Sequence, residues 1–263
     1  IQNYFCKDCG RNFNPLTNTI FDSRKISISE WFEFLLHLFE YHSITSSAYD
    51  NRNANSTGEY WLIKVFEVLK DIQKDVVLSG RIYIDETYFS KKKSKEITKN
   101  GKKLRGISAN KIGVATAISK DDGSSILIVT NTSKPSRKST LEFYGSHIKE
   151  GSTIIHDGDN SHKALIETLH LNSEEHLSKE TKDLKDEDNP MYPINHYHSL
   201  LKHFIRAHGG YNRENLQDWL NLFWFITNKP NDRYDKVLKF IELAVLSPKR
   251  VKYRDVMSSK STK

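Results

Sequence analysis

From Arg81 to Phe89 the side chains alternate in character, the two-residue period of a strand. Near the middle of that strand stands Asp85, a residue type that strands disfavour. A carboxylate set among Ile82, Tyr83 and Ile84 needs a partner, because burying it alone is costly. Other elements must therefore bring something to Asp85. Glu86 follows at once and lies on the opposite face of a regular strand. A second apolar run, Thr153-Ile154-Ile155, ends at Asp157-Gly158. That dipeptide reads either as a plain turn or as a ligand site, since ligands gather at strand ends in α/β folds. Two carboxylates from two strands can converge on hard divalent cations. Two such ions, about 3.5–4 Å apart, clamp the attacking and leaving oxygens of an in-line phosphoryl displacement.

The rest of the chain reads as helices, then strands, then helices. Residues 1–25 form a small loop-rich unit. Trp31, Phe34, Leu35, Leu38 and Phe39 recur at helical spacing from Ser29 to His42. Residues 43–57 are polar, and a second apolar helix runs from Tyr60 to about Gln73. The pair fits a helix-turn-helix or a plain helical hairpin. Residues 111–118 and 124–130 read as strands joined by an Asp121-Asp122-Gly123-Ser124 turn. Helices are expected over 137–148, from a Ser161 cap to Leu169, over Ile194–Ala207, over Glu214–Thr227 and over Tyr234–Leu246. Residues 174–188 hold seven acids against three lysines and read, within 172–190, as a charged linker. The tail beyond Pro248 is expected to fray. This order predicts an α/β domain with a mixed sheet flanked by helices.

On the helix after Ile194, Asn195 and Lys202 are seven residues apart, within about 20° of each other around the axis, and His198 shares their face. The amide could ligate a metal and the lysine could grip a phosphate as a point charge. An exposed helix face reads the same way. Between residues 91 and 111 stand nine Lys or Arg and one acid, Glu96, broken by an Asn100-Gly101 turn. Lys91, Lys92, Lys93, Lys102, Lys103 and Arg105 suit DNA phosphates beside the acids. The net charge of +7 also favours a polyanionic partner. His37 and His42, five apart on one predicted helix, should point about 140° apart and share no ligand. The aromatic run Trp219–Phe225 has the spacing of a packed core. The two cysteines, Cys6 and Cys9, make a C-x-x-C rather than a disulfide framework, which together with the lack of an apolar span or secretory signal predicts a cytoplasmic protein with no membrane contact.

Four stretches together resemble the RNase H-like DDE transposases of bacterial insertion sequences, in the group with an N-terminal zinc ribbon. They are Cys6-Lys7-Asp8-Cys9-Gly10 with Trp31-Phe32, Tyr83-Ile84-Asp85-Glu86-Thr87-Tyr88-Phe89, His156-Asp157-Gly158, and Ile194-Asn195 running to Ser199-Leu200-Leu201-Lys202. The resemblance implies a DNA transposase that cleaves at element ends and joins them to target DNA, using two Mg²⁺ or Mn²⁺ ions. Asp85 and Asp157 match the family's first two acids. Asn195 stands where many members have Glu, and Lys202 matches a downstream lysine. Cys6 and Cys9 would be half of a zinc site whose other ligands lie upstream of Ile1, so Zn²⁺ is expected only with those ligands. The implied partition is a partial zinc ribbon over 1–25, a helical DNA-binding region over 26–77, an RNase H-like catalytic domain over 78–247 and a basic tail over 248–263. A homo-oligomer on the element's inverted repeats is expected. An inactive, transposase-derived DNA-binding protein and a metal-dependent nuclease without joining activity are the alternatives.

Overall fold

The computed structural model describes residues 2–22, 27–91, 98–100, 102–104, 108–130, 134–209 and 213–256. The chain forms two compact units: one comprises Ile1–Asp71, Arg206–Gly210 and Phe225–Lys263, the other Ile72–Ile205 and Tyr211–Trp224.

The first unit opens with a two-stranded hairpin, β1 (Tyr4–Phe5) and β2 (Asn12–Phe13), around the cysteine pair. Gly10, at φ +67°, makes the reversal that a side chain would resist. Three helices follow: α1 (Ile28–Phe39), capped by Ser27, α2 (Ile44–Asp50), capped by Ser43, and α3 (Asn55–Leu69). Trp31 stacks on Trp61 at 4.2 Å between centroids, joining α1 to α3 at the centre of the unit's core. Helix α2 corrects the reading of 43–57 as merely polar. Its seven residues carry too weak a pattern to announce a helix. It is held instead by the Ser43 cap and by close approach to Gly58, where an added Cβ would stand 2.9 Å from Ala48 Cβ.

The second unit is built on strands β3 (Arg81–Ser90), β6 (Lys111–Ser119), β7 (Ser125–Thr130), β8 (Thr153–His156) and β9 (Asn172–Glu175), in the order β7-β6-β3-β8-β9. The pairs β7–β6 and β6–β3 are antiparallel; β3–β8 and β8–β9 are parallel. A small separate hairpin, β4 (Thr98–Lys99) with β5 (Lys102–Lys103), reverses after Asn100, at φ +54°. Helices α4 (Arg137–Tyr144), α5 (Lys163–Thr168), α6 (Ser178–Thr181), α7 (Tyr192–Ala207) and α8 (Leu216–Thr227) accompany the sheet. It is an α/β fold, a mixed five-stranded sheet accompanied by helices, as expected. The outer edge of β7 is covered: the Gln73 side chain donates to Leu127 O and accepts from Leu127 N, and Gln217 accepts from Val129 N.

Further expectations change. The linker at 172–190 contains the fifth strand, β9, whose Asn-Ser-Glu-Glu sequence has no apolar alternation because it is an edge strand with mostly exposed side chains. The cap near Ser161 is Asp159, whose carboxylate accepts from Ser161 N at 2.7 Å, and the helix over 137–148 stops at Tyr144. Helix α9 (Arg233–Leu246), capped by Asp232, belongs to the first unit. So does the start of the tail, which packs rather than frays: Tyr60 donates to Val251 O at 2.6 Å, and Lys249 donates to Glu67 O.

Candidate active site

The register of β3 against β8 decides what faces what. Tyr83 lies opposite Ile155 in this parallel pair. Two residues past Tyr83, Asp85 continues the same face of β3, and Asp157 stands one residue past the end of β8, close enough for its charge to act on Asp85. Tyr83 and Ile155 pack there with Met191 and Ile194 at the start of α7. The alternate residues, Ile84 and Ile154, pack on the other face with Tyr144 and Leu165, and that is the face Glu86 and His156 continue.

On the α7 face, Asp85 Oδ2 lies 3.6 Å from His198 Nδ1. Burial, with Lys202 beside it, pushes the His198 imidazole down to about 3, so this is a neutral ring against a carboxylate rather than an ion pair. Burial, then Glu86 and then Asp157 push the Asp85 carboxyl up to about 7. With 26% of its side chain still open, desolvation is incomplete, and the clustered negative charge is the cause a cation could reverse. Asp157 accepts from Asp159 N at 3.0 Å, and Gly158, at φ +79°, carries the chain away from the strand end.

On the opposite face a buried polar chain supports both acids. The Tyr144 hydroxyl sits against the β3–β6 ladder, accepting from Thr116 N at 3.1 Å and lying 3.3 Å from both Asp85 O and Glu86 Oε1. His162 Nε2 is 3.7 Å from Glu86 Oε1, and His162 Nδ1 is 2.9 Å from His156 Nδ1. His156 Nδ1 also accepts from Gly158 N. It therefore carries its proton on Nε2, which donates to Ser173 Oγ at 2.9 Å. Burial, with His162 beside it, pushes His156 down to about 4 and keeps it neutral. His162 is buried too, yet Glu86 holds it above its ordinary value. His156, Asp157 and His162 lie close enough to share a metal ion. The two ring nitrogens that face each other are, however, already engaged in this hydrogen-bonded chain. An open cleft of about 470 Å³ adjoins Asp157 and is lined by Lys134, Arg137, Asp159 and Asn160.

A family model described as the ISXO2-like transposase domain matches residues 77–228, more than half of the chain. The chain belongs to this transposase family. No curated protein matches the sequence. Among solved structures, the catalytic core domain of HTLV-2 integrase in complex with magnesium has a TM-score of 0.35 at 11% identity, over 61% of this chain and 96% of that one. The Mos1 strand transfer complex gives 0.36 at 13% identity over 87% and 80%. The mariner Mos1 paired end complex with Mg gives 0.32 at 13% identity over 88% and 82%. These likenesses are too distant to argue from.

Within this transposase domain the sequence-derived residues fall into three groups. Asp85, Asp157, His198 and Lys202 are linked, by contact or by charge. Asn195 is exposed on α7, three residues before His198 on the same helix face. Of the basic stretch, Lys91 is half-buried and Lys102 exposed, and Lys103 pairs through its backbone with Thr98; Lys92, Lys93 and Arg105 lie outside the described residues. Cys6 and Cys9 are free thiols in the other unit. Hydrogen bonds from Cys9 and then from the Asp8 backbone hold the Cys6 thiol below its ordinary value. Sequence reasoning missed Tyr144 and His162, which carry no local motif and reach Glu86 only through the tertiary fold. No described helix is long and apolar enough to cross a membrane.

Proposed function

We propose that this protein is a DNA transposase that cuts at element ends and joins them to target DNA, with Asp85 and Asp157 as its metal ligands. The observation that carries the reading is that Asp85, midway along β3, feels the charge of Asp157, just past the end of the parallel neighbour β8, and faces His198 on the helix that also bears Asn195 and Lys202. The residues fit hard divalent ions: the donors are carboxylate oxygens, and burial, with Glu86 and then Asp157 beside it, already holds Asp85 up at about 7. Mg²⁺ or Mn²⁺ bound there supplies an activated oxygen nucleophile and neutralises charge on the phosphate.

The chain's own groups do the rest. His198, neutral and buried, sits against the Asp85 carboxylate and limits its rotation. Tyr144, Glu86 and His162 brace the strands from behind. Asn195 offers a neutral oxygen as the third ligand, leaving more of the second ion's shell to water and DNA. Lys202 grips a phosphate near the acids, and Lys134 and Arg137 hold one in the cleft beside Asp157. Lys91, Lys102, Lys103 and, by sequence, Lys92, Lys93 and Arg105 extend the DNA track. Cys6 and Cys9 take Zn²⁺ when further ligands are supplied. The helices of 26–77 contact the element ends, as a homo-oligomer on two of them.

The decisive assay uses the protein with DNA carrying the inverted repeats that flank its gene, in Mn²⁺ or Mg²⁺. Metal-dependent cleavage and joining, lost in Asp157→Ala, is the expected result. Cleavage without joining would make it a nuclease. Asn195 in place of an acid favours one further reading, a non-catalytic DNA-binding protein, and binding with no cleavage in either protein would establish it.

A further inference from the structure

We propose a second metal site, for a borderline transition ion such as Zn²⁺, formed by His37, His42 and Asp50 in the helical unit. The sequence argues against it, because a helix continued to His42 would turn the two rings about 140° apart. The helix does not continue. Helix α1 ends at Phe39, and Tyr41 takes the left-handed conformation at φ +68°. His42 N then bonds to His37 O at 3.0 Å and Tyr41 N to Leu38 O at 3.2 Å, the two bonds of a Schellman C-cap. In that motif the residues at these two positions meet side chain to side chain, a contact made elsewhere by apolar groups. Here it is made by two imidazoles, with ring centroids 5.1 Å apart. The usual signal for such a cap is Gly after the helix. Its replacement by Tyr41 hides the reversal from the sequence.

Helix α2 delivers the third group. Asp50, its last residue, places Oδ2 3.7 Å from His37 Nδ1 and 4.0 Å from His42 Nδ1. All three ligand atoms lie within 4.8 Å of one another. Two nitrogens and an oxygen around tetrahedral zinc, bonded at about 2.0–2.1 Å, stand about 3.4 Å apart. The two nitrogen–oxygen separations exceed that by a few tenths of an ångström and the two nitrogens lie within 4.8 Å of each other, so small turns of the side chains would bring all three atoms onto one ion. These separations are too long for hydrogen bonds. Both Nδ1 atoms are covered from solvent and have no hydrogen-bond partner, although each ring is partly exposed. Uncompensated polar atoms of this kind are costly, and a cation gives both nitrogens a partner at once. Among the described residues, Asp50 Oδ2 accepts one hydrogen bond, a long one from Ser46 Oγ at 3.5 Å. Two imidazoles and one carboxylate form a ligand set that zinc accepts, with water in the fourth position. An ion there ties the end of α1 to the end of α2 and fixes the turn between them. This site shares no residue with Asp85, Asp157 or the cysteine pair.

The test is equilibrium dialysis of the full chain against Zn²⁺ in excess Mg²⁺, in a Cys6→Ser/Cys9→Ser background so that thiolates cannot contribute. About one zinc per chain should be retained. His37→Ala or Asp50→Ala should weaken retention by about 100-fold or more, while far-UV circular dichroism without metal stays unchanged. His42→Gln, which keeps a polar group of similar reach, should weaken it as well. Co²⁺ in place of zinc should give visible d–d absorption without the near-ultraviolet thiolate band. Failure of the Cys6→Ser/Cys9→Ser protein to retain zinc, or undiminished retention in His37→Ala/His42→Ala, would overturn the proposal. The first result would leave an ordinary His–Asp cluster; the second would place the ion at His156, Asp157 and His162.

Discussion

Asp85 Oδ2 stands 3.6 Å from His198 Nδ1, across the gap between a central strand and a helix more than a hundred residues later. Two other acids, Glu86 and Asp157, repel that carboxylate's charge, and His162 offsets them only in part.

Repulsion among Asp85, Glu86 and Asp157 should therefore be relieved in two equivalent ways. Asp85→Asn should raise the metal-free melting temperature by a few degrees, the size expected for about 1 kcal/mol. Mn²⁺ should raise the melting temperature of the wild type and much less that of Asp85→Asn. Calorimetry with and without Mn²⁺ measures both. Equal Mn²⁺ shifts in the two proteins would remove Asp85 from the ligand set. In the strand-transfer assay the same substitution should lower activity by at least about 10²–10³-fold.

Gly158 should not tolerate alanine. Its φ is +79°, and an added Cβ would stand 2.8 Å from Leu177 Cδ2. The expected loss is about 1–2 kcal/mol in urea unfolding. The turn it distorts carries Asp157, so cleavage should fall further than the stability loss alone explains. Unchanged cleavage in a stably folded Gly158→Ala would separate the turn from the chemistry.

Tyr144→Phe removes the acceptor for the buried Thr116 N–H and the only hydroxyl against Glu86 among the described residues. Losing this shared hydrogen bond should cost about 0.5–1.5 kcal/mol. Hydrogen exchange should show faster exchange at Thr116 in the variant. Protection equal to the wild type's would mean another acceptor replaces Tyr144.

Lys64, in the other unit, makes stability depend on pH. Its ammonium is buried over Tyr60 and donates to Ile20 O at 2.6 Å. Burial pushes it down to about 8, against a weaker upward pull from Asp22. The unfolded chain keeps an ordinary lysine value of about 10.4. Above pH 8 the folded state thus loses its proton first, the unfolded state binds more protons, and stability rises with pH. Below pH 8 both states are protonated and the term is constant. The wild type should gain about 2 kcal/mol on Lys64→Met between pH 7 and 10. Denaturant titrations at both values test this, and a stability difference that does not move with pH would refute it.

What local chemistry could settle was legible. Strand β3 with its mid-strand aspartate, the hairpin at Asp121–Ser124, the aromatic core helix and the order of the two acids all follow from periodicity and turn residues that act within a few positions. Segments whose form depends on a distant neighbour were not. Strand β9 is polar because it lies at the sheet edge, α2 is short and held against Gly58, and Lys249 and Val251 are tied to Glu67 and Tyr60. The same division runs through the site. The sequence alone determined that Asp85 and Asp157 end or interrupt strands. Only the tertiary structure decided that the pairing of β3 with β8 brings the charge of Asp157 to act on Asp85, that His198 closes on Asp85, that Tyr144 and His162 stand behind Glu86, and that His37 meets His42. The physical reason is that backbone periodicity is a property of neighbours along the chain, whereas register, helix termination without glycine and side-chain convergence are fixed by the packing of segments far apart in sequence.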